Sequence, residues 1–179
     1  SLYFLINTGG PKARSGSTKT FVTLGGVDGC LLLGIGFLWL AAKTFEIGGN
    51  QVLVDGWISG AAFVLMMIAA ITKAGSMPFS SWLPSAGEHA PAPVMALLPA
   101  SIDKLLGIFL LIKLSTSIFV LGSGIGLMLM IIGAITILAA VMVAVVQHDL
   151  RKLLFFHAVS QVGYMILGIG TLTPIGIAG

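Results

Sequence analysis

Charge is scarce in this sequence. Nine basic and six acidic residues among 179 amount to 8% of the chain, where a soluble domain carries about a quarter. With 57% of its residues apolar and a mean hydropathy of +1.09, the chain lacks the polar surface to cover a water-soluble globule, which excludes soluble enzymes and nucleic-acid binders. Cysteine is rarer still: Cys30 stands alone inside an apolar run, so no disulfide framework or cysteine metal site can form within the chain. A phosphate loop, a dinucleotide fingerprint and a Cys-x-x-Cys motif are all missing. Glu88 and His89 are adjacent acidic and imidazole groups without a spaced third ligand, which is not a zinc pattern; a solvated pair accounts for them. No cationic segment followed by a cleavage site opens the chain, so its start does not read as a signal peptide.

Long uncharged runs are what the sequence does contain. Each bilayer crossing takes about 20 apolar residues, which allows roughly five helices and predicts an all-α, polytopic transmembrane bundle forming a single domain over residues 1–179. Polar, Gly- and Pro-containing stretches set the limits, placing spans at 20–42, 56–78, 94–113, 125–146 and 150–169. Because the chain opens on Ser1 within an apolar run and stops in a Gly-rich stretch, we expect a fragment of a longer polytopic protein. Lys12, Arg14, Lys19, Arg151 and Lys152 fall on one side of the bundle and Lys43 and Lys113 on the other, so loops 7–19 and 147–152 are expected to be cytoplasmic.

An ionisable group inside a membrane span costs about 2.5–3.5 kcal/mol on insertion scales and is by default a functional candidate. Lys73 follows a run that is uncharged from Gly56 to Thr72 and precedes Gly75 and Pro78. Proline cannot donate a backbone hydrogen bond and clashes with the carbonyl four residues earlier, so a helix break beside the lysine is expected, with a free carbonyl at Ala74 and a short continuation, 79–83, ending at Pro84. Asp103 and Lys104 lie near the middle of the third span, about 100° apart around the helix, so each can address a different neighbour; Lys104 shares a face with Ser101. In the fifth span His157 is followed by Ser160, Gln161 and Tyr164 at helical spacing, a polar stripe that starts at an imidazole able to hand on a proton. Asp28, in the first span, reads as a structural partner for a backbone or basic group. Against these readings stand a snorkelling lysine, a structural ion pair at Asp103 and a hydrogen-bonded core histidine.

Three stretches carry a resemblance to a known family. They are Lys73 to Pro84 (KAGSMPFSSWLP), Ala90 to Ala96 (APAPVMA) and Asp149 to Met165 (DLRKLLFFHAVSQVGYM). They resemble the antiporter-like membrane subunits shared by respiratory complex I, multisubunit sodium/proton antiporters and energy-converting membrane-bound hydrogenases. The run Leu97 to Leu111, with Asp103 and Lys104, is most similar to the hydrogenase-like branch. The resemblance implies a subunit of about fourteen helices built from inverted repeats with broken helices, and a hydrated lysine, glutamate and histidine chain through its centre. On that basis Lys73 matches the broken-helix lysine, Lys104 the next relay group, and Asp149 to Lys152 the acidic-basic turn that leads into a later helix. The glutamate that pairs with the Lys73 position lies, by resemblance, in a helix before this fragment. Pro99 and Gln161 stand where complex I members often have histidines, and His157 replaces a small hydroxyl residue, so the relay is routed differently here.

The expected function is therefore proton, or sodium/proton, translocation in a redox-driven complex, with Lys73, Lys104 and His157 as the relay. Asp103, Pro78, Ser101, Gln161, Tyr164, Arg151 and Lys152 support it. The resemblance implies no cofactor in this chain and iron–sulfur, possibly with nickel–iron, centres in partner subunits. It also implies other antiporter-like and small membrane subunits, a peripheral redox arm and lipid as partners, no nucleic acid, and a prokaryotic cell membrane as location. A stand-alone sodium/proton antiporter and a purely structural membrane anchor are the competing readings.

Overall fold

The computed structural model describes residues 2–43, 51–88, 90–97 and 102–178. Most of these residues, 83%, are helical. After a short α1 (Leu2–Asn7) and a single 3-10 turn at Pro11–Ala13, α2 runs from Arg14 to Ala42. No proline interrupts it, and it stops at Lys43, which adopts a left-handed φ of 52° while its N–H bonds the Trp39 carbonyl. Apolar side chains such as Phe21, Leu32, Leu33 and Leu40 are exposed along it, the surface of a helix that meets lipid or other helices rather than water.

Helix α3 (Trp57–Ala74) begins where the Ser59 hydroxyl accepts the Gly56 N–H. A 3-10 turn at Phe79–Ser81 leads into α4 (Trp82–Gly87), and α5 (Ala92–Leu97) and α6 (Asp103–Lys113) follow. A wide turn at 114–118 then leads to α7 (Ser123–Val145), α8 (Leu150–Gly170) and α9 (Pro174–Ala178). Asp149 starts α8 by accepting the Arg151 N–H at 2.9 Å, the usual way a carboxylate satisfies an orphan N–H at a helix start.

Among the described residues four stretches have the length and apolarity to cross a membrane: 11–42, 57–87, 123–145 and 150–170. The expected stretches 20–42, 56–78, 125–146 and 150–169 overlap them, the first two helices being nine residues longer at one end. The remaining expected stretch, 94–113, is not one of these: its described residues fall in α5 and α6, and residues 98–101, with Pro99 and Ser101 among them, lie outside the described set. One boundary moves for a clear reason. The continuation after Lys73 does not end at Pro84 but runs to Gly87, because Pro84 falls in the first turn of α4, where its missing N–H has no intrahelical partner to lose.

Two short strands, β1 (Val52–Leu53) and β2 (Phe119–Val120), pair in parallel. This ties the start of α3 to the end of α6, so the two helices run antiparallel. The most extensive helix pairing is that of α7 with α8. A Cβ on Gly133 would lie 2.7 Å from the Leu167 nitrogen, and one on Gly163 would lie 2.9 Å from the Gly133 carbonyl oxygen, so the backbones approach as only glycines allow. The core has two parts: one joins α3 and α6 to α7 and α8 around Phe63, Leu111 and Ile166, and the other gathers Ile6, Trp82, Ala140 and Val159.

Candidate functional site

The break in the second span is made by Gly75. Its φ of 80° and ψ of 30° place it in the left-handed region, where glycine has no steric penalty. The Gly75 N–H bonds the Thr72 carbonyl and the Ser76 N–H the Ile71 carbonyl, each at 3.1 Å, the paired bonds of a Schellman ending. The helix has therefore already stopped before Pro78, which follows a cis Met77–Pro78 bond and leads into the 3-10 turn. The Thr72 carbonyl takes a second bond, 3.1 Å from the indole nitrogen of fully buried Trp82. The segment after the break is thus fastened back onto the helix before it.

Lys73 occupies the last turn of α3. Its ammonium lies 2.7 Å from Asp28 Oδ1 on α2, with the lysine side chain 29% and the aspartate 56% exposed. The basic-group partner expected for Asp28 is thus Lys73, so the lysine has a carboxylate partner inside this chain. Asp103, at the start of α6, is acted on by the charges of both Lys73 and Asp28, so these three groups share one neighbourhood. Lys104 is half-buried and makes no ion pair or hydrogen bond among the described residues.

The stripe on α8 is split. Ser160 is buried and its hydroxyl donates to the His157 carbonyl at 2.7 Å, whereas His157, Gln161 and Tyr164 lie on an exposed face. An advance of about 100° per residue puts Ser160 some 60° to one side of His157, enough to turn it into the bundle. Arg151 donates from Nη1 to the Ala90 carbonyl at 3.4 Å, and Lys152 pairs with Glu88 at 3.0 Å. Glu88 is therefore held by α8 rather than merely solvated; His89 lies outside the described residues. These contacts fasten the start of α8 to the α4–α5 connection.

One polar contact at the break went unnoticed in the sequence. Ser76 Oγ and Thr136 Oγ1 are 2.8 Å apart and both residues are fully buried. The signal was available: Thr136 is a hydroxyl in the middle of the uncharged helix 123–145, where a polar group needs a partner. Among the described residues no three His, Cys, Asp or Glu side chains come together as metal ligands would.

A family model described as "NADH:quinone oxidoreductase/Mrp antiporter, TM" matches residues 1–179. The NAD(P)H-quinone oxidoreductase subunit 5 of Chaetosphaeridium globosum chloroplasts is 37% identical over 169 residues, covering 89% of this chain and 25% of its own length. The corresponding chloroplast subunit of Zea mays is 34% identical, with 89% and 23% covered. The chain thus spans about a quarter of the length of these relatives. Among solved structures, a chain of the Mrp complex from Dietzia superposes with a TM-score of 0.83 at 22% identity, covering 98% of this chain and 34% of the other. A chain of respiratory complex I from Thermus thermophilus gives 0.78 at 21% identity, covering 94% and 37%. One from the membrane-bound sulfane sulfur reductase, an archaeal respiratory membrane complex, gives 0.78 at 18%, covering 94% and 36%. At these identities the structures speak for the fold, which is that of polytopic antiporter-like membrane subunits.

Proposed function

This chain belongs to the transmembrane NADH:quinone oxidoreductase/Mrp antiporter family, and on that premise we propose that it is the ion-translocating part of an antiporter-like subunit in a redox-driven membrane complex. The observation that carries the reading is the Lys73–Asp28 pair beside a broken membrane-spanning helix. A carboxylate close to a lysine favours its charged form and desolvation disfavours it, so separating the two groups drives a proton off the lysine and rejoining them takes one up. Lys73 is the gate of the relay, Lys104 the next station and His157 a later one; Pro78, Ser101, Gln161, Tyr164, Arg151 and Lys152 shape the route.

The relatives named above are subunits of quinone oxidoreductases, which supports a complex driven by electron transfer over a stand-alone sodium/proton antiporter. The Asp103–Lys104 run favours the hydrogenase-like branch and with it a prokaryotic cell membrane. Iron–sulfur and nickel–iron centres belong, in this reading, to partner subunits of a peripheral arm, with further antiporter-like and small membrane subunits and lipid around the chain. The sidedness has structural support: Lys19 reaches Ser85 at 3.2 Å and Lys152 reaches Glu88, so both basic groups converge on α4 at one end of the bundle. That end is the cytoplasmic one in our assignment.

The test is redox-driven ion uptake into vesicles holding the complete complex with Lys73→Met, with subunit content and electron-transfer rate measured on the same preparation. Uptake at background level with intact assembly is expected. Wild-type uptake by an assembled Lys73→Met complex would overturn the reading.

A further inference from the structure

Asp103 does not find the structural partner its position would allow. Among the described residues, its Oδ2 is the buried side-chain polar atom without a hydrogen bond. Such atoms are rare in folded proteins and call for a reason; a carboxylate oxygen left this way in so apolar a bundle is an especially expensive case. What surrounds it supplies the reason. The charges acting on Asp103 are the Lys73 ammonium, which attracts it, and the Asp28 carboxylate, which repels it. The backbone geometry explains the proximity: a Cβ on Gly107 would lie 2.5 Å from the Ala74 nitrogen and 2.7 Å from the Ala70 carbonyl oxygen. Helix α6 therefore touches α3 beside the lysine. The parallel pairing of β1 with β2 makes these helices antiparallel, so Asp103, one turn before Gly107, sits level with the break at Gly75.

Two carboxylates thus flank one ammonium. We propose that Asp103 is a second docking partner for Lys73, which exchanges between Asp28 on α2 and Asp103 on α6 during ion translocation. The proposal rests on the reading of Lys73 as a relay group given above and adds its destination. The lysine stem is flexible and its ammonium has three donors, of which the contact to Asp28 Oδ1 occupies one. In either position one carboxylate is paired and the other is not, so the exchange keeps one ion pair throughout, as a two-position switch requires. Moving to Asp103 carries the positive charge from α2 to the helix that bears Lys104.

The experiment uses the full-length subunit in its complete complex, reconstituted in vesicles, with Asp103→Asn, Asp103→Glu, Asp28→Asn, Lys73→Met and Asp28→Asn/Asp103→Asn compared. Asp103→Asn should lower redox-driven uptake about ten- to a hundredfold, the effect of losing a hydrogen bond to a charged group, at unchanged subunit content. Asp103→Glu should restore most of it, and the double variant should be less impaired than the product of the single losses. A wild-type rate for Asp103→Asn with background uptake for Lys73→Met would overturn this proposal and leave the translocation reading standing. A wild-type rate for Lys73→Met would remove both. Should Asp103→Asn fail to assemble, the wild-type complex decides: coupling with dicyclohexylcarbodiimide during turnover, followed by peptide mass spectrometry, should yield amides of Lys73 with both Asp28 and Asp103. The Asp28 amide alone would overturn the exchange.

Discussion

Lys73 and Asp28 form the ion pair that, among the described residues, joins two membrane-spanning stretches away from their ends; the other pair, Glu88 with Lys152, sits where α4 ends and α8 begins. Removing Asp28 deprives Lys73 of the carboxylate it pairs with in this structure and leaves it only Asp103, with which it forms no ion pair here. Asp28→Asn should therefore lower the thermal stability of the subunit by about 2–3 kcal/mol and reduce redox-driven ion uptake. Combining it with Lys73→Met should recover the stability without recovering uptake. Differential scanning of the purified complex beside a vesicle uptake assay reads both; equal stabilities for Asp28→Asn and the double variant would contradict the expectation.

Trp82 holds the broken helix together from within. Its indole donates to the Thr72 carbonyl and its ring is fully buried. Trp82→Phe keeps most of the ring volume and should cost about 1 kcal/mol for the lost hydrogen bond. Trp82→Ala should cost about 3–5 kcal/mol, enough to lower the amount of assembled subunit in membranes, which quantitative immunoblotting measures.

The contact between α3 and α6 can be tested with single methyl groups. Gly107→Ala drives a Cβ into the α3 backbone, whereas Gly29→Ala on α2 meets nothing within 4 Å. The first should destabilise by about 1–3 kcal/mol through overpacking; the second should be neutral or stabilise by roughly 0.5–1 kcal/mol, as Gly to Ala does inside a helix. Thermal midpoints of the two variants would have to coincide to contradict this.

The buried hydroxyl pair calls for a double-mutant cycle. Each hydroxyl can also donate to a backbone carbonyl, Ser76 to Met77 and Thr136 to Ile132, so Ser76→Ala alone or Thr136→Val alone removes the bond between them without leaving an unpaired group and should cost about 0.5–1.5 kcal/mol. The double variant should cost less than the sum, because the shared bond can be lost only once. Additive losses would mean that the two hydroxyls are not coupled.

How much of this was legible in the sequence follows from the range of the forces involved. Span limits at Asp149, Lys43 and Gly56 could be read directly, since they depend on local capping and on where charge is tolerated. The break near Lys73 was legible too, although the residue responsible is Gly75, whose left-handed turn ends the helix before Pro78 has any chance to. What periodicity could not supply is which helices meet. Asp28 and Ser160 show the difference: the first needed the packing of α2 on α3 to find its lysine, and the second needed the fit of α7 against α8 to be turned away from His157 and into the bundle. The Ser76–Thr136 contact is of the same kind, two modest residues made significant by long-range packing.

The glycine contacts between α7 and α8 have an electrical consequence. Helix α7 carries no ionisable side chain from Ser123 to Val145, and at Gly133 and Gly163 its backbone lies against that of α8 with no room for even a methyl group. No water molecule fits between the backbones at these two glycines, and no titratable group of α7 lies there to hand on a proton. At that level the seam is an electrical insulator between α7 and α8.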